Sequence, residues 1–246
     1  MTEQTKFLVG IDDTDNLTSR GTGFIVRQLA AQLREKKIAR VLAVSRHQLF
    51  VHDDIPYTSH NSSACMELLC SDRAILEKYC REYLLEVAAE GSDVGLCIIP
   101  FDDVDEDIIE WGLTAKKTVL NKSLARDLAD QKNIFLEGLT GTHDGIIGSM
   151  AACGLRKHGS DGRILMLDID FRSFSGQIKA SEICNNFHIQ NIFDNFGKDI
   201  PPEAEILLEE NWKPILRNGR YTLIVEKDEQ DKWKSISKDT LRKISS

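Results

Sequence analysis

The stretch Gly10-Ile11-Asp12-Asp13-Thr14-Asp15-Asn16 places three carboxylates within four positions, directly after the apolar run Phe7-Leu8-Val9. Carboxylates this close repel one another, so a folded chain tolerates them when a cation, a basic partner or protonation compensates. A hard divalent cation such as Mg2+ meets that demand, because it takes oxygen ligands: one or two protein carboxylates plus water and substrate phosphates. Asp12, Asp13 and Asp15 are therefore candidate metal ligands and catalytic residues, and Thr14 lies among them. A structural reading competes, since Asp and Asn also end strands and cap helices.

A second informative stretch runs from Glu137 through Gly138-Leu139-Thr140-Gly141-Thr142-His143-Asp144-Gly145 to Gly148 and Gly154. Glycines let a backbone approach a ligand closely, and the amides at a helix start favour an anion. Gly141, His143 and Gly145 are thus candidate phosphate contacts, with a plain turn and a packed helix as the alternative. The spacing is neither the dinucleotide fingerprint G-x-G-x-x-G nor a Walker A loop. Arg20 is a further candidate, because guanidinium binds phosphate bidentately. Asn61 could hydrogen-bond a nucleotide or substrate, and His60 and His143 could contact phosphate or move protons.

The elements that must position these residues follow from periodicity. Strands are expected near residues 6–11, 39–45, 94–99, 134–136, 163–169 and 221–226. Helices are expected over 22–37, with Ile25, Leu29 and Leu33 on one face, over 71–90, with Leu76, Cys80, Tyr83, Leu84 and Val87 as its stripe, and over 123–131. The polar stretch 53–63 reads as a loop leading into helix. The acidic run Asp102–Asp107 reads as a solvated helix start in preference to a second metal site. The expected fold is α/β, a mixed sheet with flanking helices, with residues 1–172 as a catalytic core and 173–246 as a small α+β extension.

The chain has 246 residues, 41% of them hydrophobic and 28% charged, the pattern of a globular protein with a substantial core. A net charge of −8 argues against a broad basic face for nucleic acid, although a local basic patch remains compatible with 31 basic residues. No basic-then-apolar leader and no bilayer-length apolar run occur, so a cytoplasmic protein without a membrane partner is expected. The six cysteines form no C-x-x-C pair, which argues against structural zinc.

The segments VGIDDTDN, RGTG, IPYTSHNSSA, GTHDGIIGSMAACG and LMLDIDFR, in that order, resemble the N-terminal catalytic part of archaeal tRNA-isoleucine agmatinylcytidine synthetase, the TiaS family. The resemblance covers residues 6–172, and IDDTD is its most specific element. It implies use of ATP and Mg2+ as cofactors, with Asp12, Asp13 and Asp15 at the metal and nucleotide site. It also implies that Gly141, Gly145 and Gly148 shape a nearby phosphate-binding or packing element. Family members activate a tRNA cytidine by phosphorylation so that the amine of agmatine can displace the phosphate.

Two departures qualify what the resemblance implies. Ser59-His60-Asn61-Ser62 stands where the family has TRGN, and the OB-like and zinc modules that help hold tRNA have no counterpart in this sequence. The expectation is a short stand-alone relative, an ATP- and Mg-dependent phosphotransferase or ligase-like enzyme acting on an unknown carbonyl or hydroxyl acceptor, with tRNA as one possible partner. A non-catalytic nucleotide or metal sensor is the second reading. A third, an aspartyl-nucleophile phosphatase, draws on Asp13-Thr14-Asp15 and Asp168-Ile169-Asp170, but Leu17 occupies the place where that class has Thr or Val.

Overall fold

Strand β1 (Thr5–Asp12) is buried on both faces because its side chains alternate between two layers. Phe7, Val9 and Ile11 enter one apolar cluster and Leu8 the other. The computed structural model describes residues 4–55 and 61–244. After β1 the chain runs through α1 (Thr22–Glu35), β2 (Arg40–Gln48), β3 (Ser62–Cys70), α2 (Arg73–Val87), β4 (Gly95–Pro100), α3 (Glu106–Thr114), α4 (Lys122–Lys132), β5 (Phe135–Gly138), α5 (Gly145–His158) and β6 (Arg163–Leu167). It continues through β7 (Gly176–Lys179), α6 (Ala180–Phe187), β8 (Asn191–Asp194), β9 (Glu205–Leu208), β10 (Ile215–Arg217), β11 (Arg220–Lys227), β12 (Trp233–Ser235) and α7 (Lys238–Ile244).

The strands form one mixed, mostly antiparallel sheet ordered β5-β4-β1-β3-β2-β6-β10-β11-β12-β9-β7, with β8 paired to β11. The architecture is therefore α/β, a mixed sheet with flanking helices. Val26, Leu29 and Leu33 of α1 and Leu76, Cys80 and Leu84 of α2 cover one face. Ile108 and Trp111 of α3, Ala125 of α4, and Ile146, Met150, Ala151 and Leu155 of α5 cover the other. Among the described residues, no helix is long and apolar enough to cross a membrane.

The helix expected after residue 63 is a strand instead. β3 lies between β1 and β2 and pairs antiparallel with both, Val9 opposite Met66 and Val44 opposite the same residue on the other side. Its sequence, Ser-Ser-Ala-Cys-Met-Glu-Leu-Leu-Cys, is rich in residues that favour helix in isolation, and pairing with two neighbours overrides that local preference. The acidic run behaves as a helix start: Asp105 caps α3 by accepting from the Asp107 and Ile108 amides and pairs with Lys132 at 2.5 Å.

Helix α5 fixes the position of the site. It packs so closely on β1 that a Cβ on Gly10 would lie 1.9 Å from the Ser149 carbonyl oxygen. The small residues of this helix therefore serve close packing on the sheet. Beyond β6 the sheet continues through the pair Ile215–Arg163, and Ala43, Ile164 and Leu167 share a cluster with Phe171, Ile183, Trp212 and Leu223. Buried Arg156, in the last turn of α5, joins Glu67 at 2.7 Å to the Tyr221 hydroxyl at 3.0 Å.

Candidate functional site

The period of β1 carries Leu8, Gly10 and Asp12 on the face under α5, so Asp12 emerges at the start of that helix. Its carboxylate rests against Gly148, where a Cβ would lie only 1.8 Å from Asp12 Oδ2. The strand ends there because Asp13 takes a left-handed backbone, φ 49°. Pairing of Asp12 with Gly95 brings the residues before β4 alongside, and Asp13 accepts a hydrogen bond from the Asp93 amide. Three acids from two distant segments meet at this point.

These carboxylates are compressed electrostatically. Burial, followed by the charges of Asp13 and Asp15, raises the Asp12 pKa to about 8. Burial, then Asp15 and Asp93, raises that of Asp13 to about 6. Asp15 plays a different part: its Oδ1 accepts from the Thr22 amide at 3.0 Å and the Thr22 hydroxyl at 2.8 Å, which caps α1 from upstream. Thr14 is buried, and its amide and hydroxyl lie 3.2 Å from Thr22 Oγ1.

The acids border a cavity of about 300 Å³. Its described lining includes six aspartates, Asp12, Asp13, Asp15, Asp54, Asp93 and Asp144, and one lysine, Lys122. The lining also has an apolar part, formed by Leu49, Ile55, Ala115, Val119, Leu120 and Ile147, and includes the amide side chains Asn61 and Asn121. Asn61 is held by donation from its side-chain amide to the Phe50 carbonyl at 2.6 Å. Lys122 reaches the Thr142 carbonyl at 2.6 Å and the Asp144 carboxylate at 3.2 Å.

The glycine-rich stretch lies beside the acids. Asp93 Oδ1 accepts the amides of His143 and Asp144, the latter at 3.0 Å, and its carbonyl accepts that of Gly145 at 3.1 Å. Gly141 has φ +61° and abuts the Asp93 carboxylate, and His143, also left-handed, lies 3.4 Å from Arg126 through Nδ1. Arg20 is exposed over the Phe24 ring, 5.1 Å from its centroid, and is outside the described cavity lining. His60 falls outside the described residues. Asp168, which pairs with Arg40 and His188, is likewise outside that lining, as is Asp170.

Asp93, Lys122 and the 115–121 wall escaped sequence reasoning. Asp93 is a single acid before an apolar strand, and Lys122 an ordinary lysine at a helix start, so neither carries a local signal. Another unforeseen arrangement is the row Ser45 Oγ to His47 Nε2 at 2.7 Å and His47 Nδ1 to Asp161 at 2.8 Å. Nucleophile, base and orienting acid stand in triad order, yet Ser45 and His47 are fully buried and no substrate can reach them. Burial keeps the His47 pKa below its usual value against the pull of Asp161. For Asp161, burial is outweighed by His47 and Lys116, which hold its pKa low.

Among the described residues, no three His, Cys, Asp or Glu side chains gather as a self-sufficient metal cage. Mg2+ does not require one, since one or two carboxylates suffice when water and phosphate complete the shell. The hard oxygen donors of Asp12 and Asp13, both held with raised pKa values, fit that requirement.

No family model matches the sequence. No curated protein matches it either. Solved structures do match by fold. A complex of TiaS with its isoleucine tRNA and ATP superposes with TM-score 0.54 at 22% identity, covering 61% of this chain and 36% of that one. Apo TiaS, a tRNA agmatidine synthetase, gives TM-score 0.54 at 19% identity over 75% of this chain and 44% of that one. A tRNA fluorescent labeling enzyme gives TM-score 0.54 at 23% identity, with coverages of 61% and 36%. The chain thus has a TiaS-like fold, and the match spans 36% to 44% of the length of those structures.

Proposed function

We propose that this chain is an enzyme that binds ATP with Mg2+ in the cavity between β1, α5 and the 115–121 segment, and uses it to activate a carbonyl or hydroxyl acceptor. The observation that carries the reading is the pairing of an apolar wall with crowded, proton-hungry carboxylates at one cavity. Leu49, Val119, Leu120 and Ile147 offer a surface for a nucleobase, and Asn61 and Asn121 offer polar groups in the same lining. Asp12 and Asp13 would hold the cation, and Lys122 would face the phosphates as a point charge. When bound, Mg2+ neutralises phosphate charge and aligns the transferring group. Asp15 and Thr14 tie the acidic loop to α1, and Gly145 and Gly148 allow α5 to approach Asp12. The solved TiaS complex with tRNA, AMPCPP and agmatine supports a nucleotide at this fold.

Calorimetry of ATP binding with and without Mg2+, on the full chain and on folded Asp12→Asn and Asp13→Asn, tests the site. Mg-dependent binding that both variants weaken is expected; equal binding in the variants overturns the assignment. Labelled ATP, incubated alone and with tRNA or a panel of amines and carbonyl compounds, then separates turnover to ADP or AMP from binding without turnover, which would identify a sensor.

A further inference from the structure

The loop that leads into α5 has the makings of an anion site, because successive amides point to one side of it and a helix N-terminus follows. In this protein those amides already have an acceptor. His143 and Asp144 both donate to Asp93 Oδ1, and the Thr142 hydroxyl lies 2.6 Å from Asp93 Oδ2. The backbone of the same residue takes part as well: its carbonyl accepts Gly145, the first residue of α5, and its amide donates to the Asp13 carboxylate. Its neighbours extend the attachment, with the Thr140 hydroxyl 2.8 Å from the Ser92 carbonyl and 2.9 Å from the Val94 amide.

We propose that the Asp93 carboxylate is a built-in anion filling the amide nest of the glycine-rich loop, so that Asp93 is a positioning residue and the loop a scaffold that binds no phosphate. Three consequences follow from the chemistry. A phosphate cannot take the His143 and Asp144 amides without expelling a carboxylate that already satisfies them. The phosphates of a bound nucleotide are left to the cation-binding pair Asp12 and Asp13 and to Lys122, which this loop also holds through the Thr142 carbonyl. The start of α5, and with it Gly148 beneath the Asp12 carboxylate, is placed by Asp93. This assignment of the phosphates rests on the nucleotide reading given above; the filling of the nest does not.

The test is amide NMR of the full chain. In wild type, the His143 and Asp144 amide protons are expected far downfield, and neither inorganic phosphate nor Mg-ATP should displace them. Asp93→Ala should lose the downfield shifts, and formate, a small carboxylate, should restore them saturably and recover at least half of a roughly tenfold or greater loss in ATP affinity. Asp93→Asn keeps the shape and an oxygen acceptor but not the charge, so it should retain only part of the two downfield shifts; shifts unchanged from wild type would overturn the assignment of an anion to the nest. Should Asp93→Ala fail to fold, wild type and Asp93→Asn still decide the matter. ATP or phosphate moving the two amides in wild type, or formate leaving folded Asp93→Ala unchanged, would overturn the proposal. Absence of any ATP binding, with formate rescue of the shifts intact, would instead remove the nucleotide reading and leave the filled nest standing.

Discussion

The carboxylate of Asp12 and the α-carbon of Gly148 are in such close contact that a methyl group on Gly148 would lie 1.8 Å from Asp12 Oδ2. A strand end and a helix start approach this closely because the helix has no side chain at that position. The Asp12 side chain held there lines the cavity.

Gly148→Ala isolates this contact. Alanine favours a helix interior by about 1 kcal/mol relative to glycine, so the substitution should leave the helix intact. It should displace the Asp12 carboxylate and reduce Mg-dependent ATP affinity at least tenfold, with the melting temperature within a few degrees of wild type. Calorimetry and thermal denaturation on the same sample check both parts. Unchanged affinity would show that the contact is unimportant to binding.

Asp12 and Asp13 make the metal-free protein sensitive to pH. A carboxyl whose folded pKa is raised binds more protons in the folded state than in the unfolded, so stability is lost as pH rises between the two values. The windows here run from 3.8 to about 8 for Asp12 and from 3.8 to about 6 for Asp13. The contribution of these residues to the melting temperature should fall across pH 4 to 8 without divalent ions. Asp12→Asn should flatten that fall, and so should Mg2+ with ATP on wild type. A parallel decline in wild type and variant would contradict the assigned shift.

Lys122 separates binding from stability. Its side chain is 37% exposed, and an ion pair at that exposure contributes under about 1 kcal/mol. Lys122→Ala should therefore melt close to wild type while binding ATP several-fold more weakly, the loss being greater for ATP than for adenosine. Equal losses for the two ligands would place the lysine away from the phosphates.

Asp161 should act in the opposite way. It joins buried His47 to Lys116, and removing one partner of a buried charged group costs about 3 kcal/mol. Urea denaturation of Asp161→Ala should report a loss of that order. Because the folded pKa values of His47 and Asp161 are both lowered, their stabilisation is lost as pH falls, for His47 beginning below its unfolded value of 6.5. The row ending in buried Ser45 predicts no labelling by serine-directed phosphonates in the folded protein; stoichiometric labelling of Ser45 would show that the row opens.

The parts legible before folding were those with local causes. Alternation and helical spacing place β1, α1, α2 and β4 within a few residues of their observed ends. The acid triplet stands out because no local basic residue compensates it. β3 was hidden because its residues carry helix preference, and strand pairing with β1 and β2 supplies what its composition does not. Asp15, Asp12 and Asp13 looked equivalent in the chain, and all three line the cavity, yet Asp15 also caps α1 through the Thr22 amide and hydroxyl.

Sequence alone determined the α/β class, the acidic loop at a strand end and the small-residue helix after a glycine-rich turn, because these depend on periodicity, charge repulsion and side-chain size among near neighbours. Tertiary structure decided which groups share the site. The register between β1 and β4 sets Asp93 beside Asp13, and the packing of α5 on β1 sets Gly148 beneath Asp12. Those proximities are produced by long-range pairing in the sheet, whose partners no local pattern names.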